Sequence, residues 1–175
     1  MKRSTLTAIV FLLFVLSLLP VEQGPWSSKE VAKYNHGYGT FDMKSYTPDI
    51  VYQVLDQMES RGFDTYKKYF IADSIFTVIF CIFQVLLQSQ VYRWSKSKLL
   101  HGVLILLPLA RMICDLFENT ALYHVLQEYP QRQDTLVRFT SFVTHTKLSL
   151  VGLWMLLLIT GYVISYIKRH QPVKA

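Results

Sequence analysis

Cysteine is almost missing from this chain. Cys81 and Cys114 are the only two in 175 residues, and both sit inside apolar runs. No CxxC occurs, which argues against disulfide-exchange chemistry. The two thiols read instead as small buried hydrophobes. Charge is scarce as well: Asp, Glu, Lys and Arg make up 17% of the residues, against about 25% in a soluble domain. There is no Asn-x-Ser/Thr sequon, no HExxH metal motif and no nucleophile elbow. The "GYG" at 37–39 lacks the helix, the Lys and the Ser/Thr that a phosphate loop needs. No internal repeat or low-complexity tract is visible.

What the chain has is apolar length. Hydrophobic residues make up 51% of it and are clustered in four blocks, Leu6–Val21, Phe70–Tyr92, Leu99–Leu122 and Phe139–Ile167. A bilayer core takes roughly 20 helical residues to cross. The blocks predict an all-α polytopic membrane protein, a single domain with four transmembrane helices over about 5–21, 70–92, 99–122 and 143–167. The net charge of +6 requires no nucleic acid, because the basic residues of "MKR", "YRWSKSK" and "IKRH" each abut an apolar block. By the positive-inside rule both termini and the 93–98 turn lie on the cytosolic face. Segments 22–69 and 123–142 are then outer loops, although the first also carries Lys29, Lys33, Lys44, Arg61, Lys67 and Lys68.

The first block has the basic start and apolar centre of a signal peptide. The "PVEQGP" after it offers no small-x-small cleavage site. The reading is therefore a retained signal-anchor span; cleavage would leave three spans.

Residues 22–46 read as a loop whose aromatics (Trp26, Tyr34, Tyr38, Phe41) suit the headgroup level. A helix over about 47–61 follows. Thr47 is its N-cap, Pro48 its first residue, Asp49 complements the positive end and Gly62 is the stop. Ile50, Val51, Val54, Leu55 and Met58 form an apolar stripe, with Gln53, Asp56, Gln57 and Glu59 opposite. That acidic polar face suits a lid on the bundle better than a helix lying on lipid headgroups. "FDTYKKYF" restarts a helix that runs into the second span.

Helical spacing sorts the polar residues inside the spans. Asp73, Thr77, Gln84 and Gln88 fall in one sector of the second span. Arg111, Asp115 and Glu118 fall together in the third, with His101, Pro108 and Asn119 at the edge of that face. A charge aimed at lipid costs kilocalories, so these stripes are expected to face each other and the bundle interior. In the fourth span His145, Ser149, Gly152, Leu156 and Thr160 share a face whose small residues would permit close helix approach. Lys147 points about 200° away from His145, so one of the two must lie outside any common site. Pro108 removes a backbone donor and frees the carbonyl of Leu104, which predicts a kink.

Depth brings Asp73, Asp115, Glu118, Asn119, His145 and Lys147 toward one outer level beneath the lid, with Arg111 nearer the middle. This is the candidate polar pocket, with Arg111 holding an anion or pairing with Asp115, and His145 as its titratable member. The bland account is equally physical: an i,i+4 ion pair at Arg111 and Asp115, and interhelical hydrogen bonds elsewhere. The favoured role is a non-enzymatic membrane component binding a lipid headgroup, a small polar ligand or a partner helix, alone or in an oligomer. No cofactor or metal is implied. The alternatives are a lipid-modifying enzyme using Asp115 and Glu118, and a small proton-coupled transporter subunit. Four spans without an inverted repeat are few for alternating access.

"FDMKSYTP", "YFIADSIF" and "DLFEN" resemble segments of a group of small four-span integral membrane proteins with an Asp-Leu-x-Glu-Asn motif in the third span. The resemblance covers most of residues 40–125. It implies the topology and directs attention to Asp42, Asp73, Asp115, Glu118 and Asn119, but implies no activity. A vitamin-K-reductase-like four-helix fold is excluded by the missing CxxC. Adhesion proteins of the claudin or tetraspanin kind are excluded by the cysteine-free loops.

Overall fold

The computed structural model describes residues 3–42 and 44–170. Met43 of "FDMKSYTP", Met1 and Lys2 of the basic start and residues 171–175 lie outside the described residues, as do the side chains of Arg3, Ser4, Arg169 and His170. The described residues are helical and contain no strand. Six helices occur in order: α1 (Arg3–Glu22), α2 (Ser28–Tyr34), α3 (Pro48–Asp56), α4 (Ser60–Val91), α5 (Lys98–Glu128) and α6 (Asp134–His170). Four of them are long and apolar enough to cross a membrane. At 1.5 Å per residue, the 32 residues of α4 reach about 48 Å, beyond the roughly 30 Å of a hydrocarbon core.

The long helices alternate in direction. Near the α4–α5 turn, Thr7 of α1 accepts a hydrogen bond from Gln90 of α4, and the Tyr92 phenol donates to the Leu157 carbonyl at 2.6 Å. Lys168 lies over the Trp94 ring at the same end. Helix α4 is central, packing on α1, α5 and α6, while α1 lies outside the α4–α5–α6 group. What holds α1 there is aromatic: Phe14 meets the rings of Phe76, Phe80 and Phe83 at centroid distances of 5.0–5.7 Å. Outward faces are apolar, with Leu12, Ile71, Ile75, Leu106, Ile113 and Leu156 all exposed, and charges are held inside. This polarity is the inverse of a soluble bundle and suits a lipid surround.

The segment between α1 and α4 is more ordered than a loop. Ser27 caps α2, its Oγ accepting the Glu30 N–H, a helix that the lack of clear periodicity concealed because it is only seven residues long. Asn35 closes the following turn with both amide atoms: Nδ2 donates to the Gly39 carbonyl and Oδ1 accepts the Gly39 N–H. Gly37 and Gly39 take the positive φ values, +82° and +80°, that glycine adopts without strain. Phe41 is wholly buried. It packs among the Tyr38, Tyr46 and Tyr66 rings, and its N–H donates to the Tyr66 phenol at 2.7 Å.

The Thr47 cap and Pro48 start of α3 are as expected. The helix is shorter than the expected 47–61 and ends at Asp56, with Gln57 at its C-cap. Gly62 does not stop it. A Cβ there would come within 2.7 Å of Met58 Cγ and of Tyr34 Cβ, so glycine serves a close approach in the first turn of α4. Helix α3 buries Val51, Tyr52, Val54 and Leu55, while Ile50 faces out. The rotation is set by Tyr52, whose phenol takes the Gln133 N–H at 2.5 Å and reaches the Gln131 carbonyl. Arg132 reaches Asp49 at 2.7 Å, and the Tyr129 phenol donates to Asp56 at 2.7 Å. Helix α3 is thus strapped to the α5–α6 turn, over a core of Tyr66, Phe70, Leu122, Val125 and Val137.

Candidate functional site

Asp115 is the centre of a buried ionic network. Its Oδ2 accepts from Arg111 Nη1 at 2.8 Å and from the Thr77 hydroxyl at 2.6 Å, and its Oδ1 accepts from Lys147 Nζ at 2.8 Å. Helix spacing explains the first contact, since residues four apart on α5 share a face. The others tie α5 to α4 and to α6. Lys147 also meets Glu118 Oε2 at 2.5 Å. The Thr144 hydroxyl donates to Glu118 Oε1 at 2.6 Å and receives the Tyr46 phenol at 3.0 Å. Arg111 Nη2 donates to the Thr77 carbonyl at 3.0 Å, and its guanidinium lies 4.7 Å from the Phe80 ring centre.

Toward α3 the network turns acidic. Asn119 Nδ2 donates to Asp73 Oδ2 at 2.7 Å, and the Tyr69 phenol donates to Asp42 Oδ2 at 2.9 Å. Burial places the Tyr46 phenol above its ordinary pKa range, with the nearby Glu118 carboxylate acting in the same direction. Among the described residues the buried ionisable groups here are four carboxyls (Asp42, Asp73, Asp115, Glu118) and two cations (Arg111, Lys147). Asp42 Oδ1 and Asn119 Oδ1 are buried acceptors to which no hydrogen-bond donor is assigned.

Toward the α4–α5 turn the network gives way to amides. Pro108 lies within α5 and supplies no N–H to Leu104. In the amide orientation that satisfies both neighbours, Gln88 donates to the Leu104 carbonyl at 2.8 Å and accepts the Trp154 indole N–H at 3.3 Å. The carbonyl freed by proline therefore has a side-chain partner on α4. Gln84, one turn nearer the charges, is fully buried with neither amide atom paired.

Of the seven candidate site residues, the structure brings together Asp73, Arg111, Asp115, Glu118, Asn119 and Lys147. It does not include His145, which is exposed and bonded to Ser45 Oγ at 3.1 Å. The 200° separation on α6 is resolved in favour of Lys147, because two buried carboxylates await it. The His145 face makes no close helix contact either. Nothing lies within 4 Å of a Cβ built on Gly152, and Leu156 and Thr160 are exposed. Close approach occurs instead at Gly161, against Tyr92 and Val91. His101 stays at the start of α5, bonded to the Ser97 carbonyl.

Sequence reasoning missed Tyr46, Tyr69 and Thr144. Tyrosine and threonine are common in apolar runs, and only the path of the 40–46 segment brings Tyr46 to Thr144. Asp42 was flagged by resemblance alone, and no periodicity marks it.

Asp115 accepts three hydrogen bonds, from two cations and a hydroxyl, so both of its oxygens are engaged within the bundle. Among the described residues no group of three His, Cys, Asp or Glu side chains is placed to hold a metal ion. The chain matches no protein-family model, no curated protein and no solved structure.

Proposed function

We propose that the chain is a four-span integral membrane protein, both termini cytosolic and α1 a retained signal anchor, which binds the polar part of a lipid without catalysis. The 22–59 segment, with α3 as its amphipathic lid, lies on the outer side. Grouping of Arg93, Lys96 and Lys98 at the end where Lys168 meets Trp94 supports the orientation.

One observation carries the binding reading: four buried carboxyls lie beside only two cations, and at the α3 end two acceptors, Asp42 Oδ1 and Asn119 Oδ1, are left without donors. Buried polar groups are nearly always hydrogen-bonded. The ligand that completes this end supplies donors, as a hydroxyl or ammonium group does. Arg111 is taken up by Asp115 and the Thr77 carbonyl, so the reading of Arg111 as an anion holder loses its support. The enzyme reading has little, since the nearest histidine on α6 is turned away from Asp115 and Glu118.

The test is thermal stability of the purified protein with and without total lipid extract, for wild type, Asp73→Asn and Asn119→Leu. Lipid is expected to raise the wild-type melting temperature and to leave folded Asn119→Leu unmoved. An equal lipid shift in wild type and both variants would overturn the reading, as would no shift in any.

A further inference from the structure

The Asp73–Asn119 end of the network has a second side. Between α4 and α5 runs a groove of about 720 Å³, within the roughly 300–1,000 Å³ of small-molecule sites. Its walls are apolar, including Ile71, Ile75, Val78 and Leu116, and the first three are among the exposed residues of α4. It lies clear of the Phe14–Phe80 contact that holds α1 and of the Asp115–Lys147 contact that holds α6. In a bilayer such a groove opens sideways to lipid.

Three polar side chains, Ser74, Asn119 and Thr120, lie on its floor. The Ser74 hydroxyl donates inward to the Phe70 carbonyl at 2.7 Å, and the Thr120 hydroxyl to the Leu116 carbonyl at 2.7 Å. Asn119 directs its amide N–H groups to Asp73 and, at 3.3 Å, to Ser74. The Asp73 acceptor fixes that amide orientation, leaving Oδ1 buried and without a donor. Ser74, Thr120 and Asn119 have therefore committed their hydrogens and retain lone pairs, while the Tyr123 phenol also lines the groove.

We propose that this groove is a lateral binding site for a neutral lipid bearing a free hydroxyl, of the diacylglycerol type. An acyl chain lies along the α4–α5 seam and the hydroxyl donates its one hydrogen to the Ser74 or Thr120 hydroxyl oxygen beside Asn119. A phosphodiester headgroup fits poorly: it brings negative charge to a floor backed by Asp73, and both cations of the network are already paired. The inference rests on the lipid-binding reading above and names the lipid and its route of entry.

The test is photolabelling in nanodiscs of phosphatidylcholine with a trace of diazirine-tagged diacylglycerol, the labelled residues being located by mass spectrometry. Labels are expected on Ile71, Ile75, Val78 and Leu116. Unlabelled diacylglycerol should compete at least tenfold better than its O-acetylated form or phosphatidylglycerol. Ile75→Trp, which fills the groove without touching the network, should cut labelling at least tenfold at an unchanged melting temperature. Equal competition by acetylated diacylglycerol and phosphatidylglycerol would overturn the hydroxyl reading while lipid binding stands. Labelling elsewhere, with the lipid-dependent stabilisation intact, would overturn the groove alone. Crosslinks through these residues between two copies, with no lipid label, would assign the groove to a second chain and overturn the proposal.

Discussion

Replacing Lys147 with methionine removes one charge from the centre of the bundle and keeps most of the side-chain volume. Lys147 bridges Asp115 at 2.8 Å and Glu118 at 2.5 Å, and the three side chains are 0–6% exposed. Asp115 would keep Arg111 and Thr77, but Glu118 would keep only the Thr144 hydroxyl. Breaking a buried pair by removing one partner costs about 3–5 kcal/mol, chiefly the penalty of the charge left behind. Neutral interhelical hydrogen bonds in membranes average only about 0.6 kcal/mol, so the ionic loss dominates. At roughly 2–4 °C per kcal/mol for a chain of this size, Lys147→Met is expected to lower the melting temperature by about 6–20 °C. The assay is thermal unfolding in detergent, followed by intrinsic fluorescence, with His145→Met as the exposed control near zero. Adding Glu118→Gln to Lys147→Met removes the stranded charge and should recover much of the loss, because neutralising both partners of a buried pair is often close to neutral. Two results would refute this: Lys147→Met melting with the control, or a double variant as unstable as the sum of the singles.

Other expectations are smaller in scale. Gly161→Ala drives a methyl into Tyr92 and Val91 and should destabilise by about 1–3 kcal/mol, whereas Gly152→Ala, in open space, should gain up to about 1 kcal/mol of helix propensity; paired thermal melts read both. Gln88→Leu strands the Leu104 carbonyl and the Trp154 indole, for about 1–3 kcal/mol, with a shift in Trp154 emission that Gln53→Leu on the lid should not give. Arg132→Ala breaks the exposed strap to Asp49 and should leave the global melting temperature nearly unchanged, because exposed ion pairs contribute little. Hydrogen exchange at Val51–Leu55 should nonetheless rise, while exchange at Glu118 stays protected.

The four long helices were legible because each is a separate apolar run long enough to cross a membrane. Their inward faces were legible because charge avoids lipid: Asp73, Thr77, Gln84, Gln88, Arg111, Asp115 and Glu118 all point as a 3.6-residue period demands. Helix ends were less so. Helix α5 continues to Glu128 and α6 starts at Asp134, because beyond the apolar blocks polar residues continue a helix as readily as they form a loop. The choice between His145 and Lys147 could not be made from α6 alone; it depends on where Asp115 and Glu118 stand on α5. The 22–59 segment was the least legible. Its order comes from single contacts across long separations, such as Tyr66 with Phe41 and Tyr46 with Thr144, and no local period encodes them.

Those contacts bear on why six buried charges and a folded loop occur together. In lipid, apolar helix faces gain little by choosing one another over the solvent tails, so burial of Leu or Ile sets no register between spans. A slip of α6 against α5 by one turn, about 5.4 Å, would exchange one apolar contact for another at small cost. The same slip would carry Lys147 away from both Asp115 and Glu118. Thr77 and the Arg111 contact to its carbonyl pin α4 to α5 in the same way. The ionic level thus singles out one alignment of three helices. Because Tyr46 reaches Thr144 and Asp42 reaches Tyr69, the segment beneath the lid closes only on that alignment.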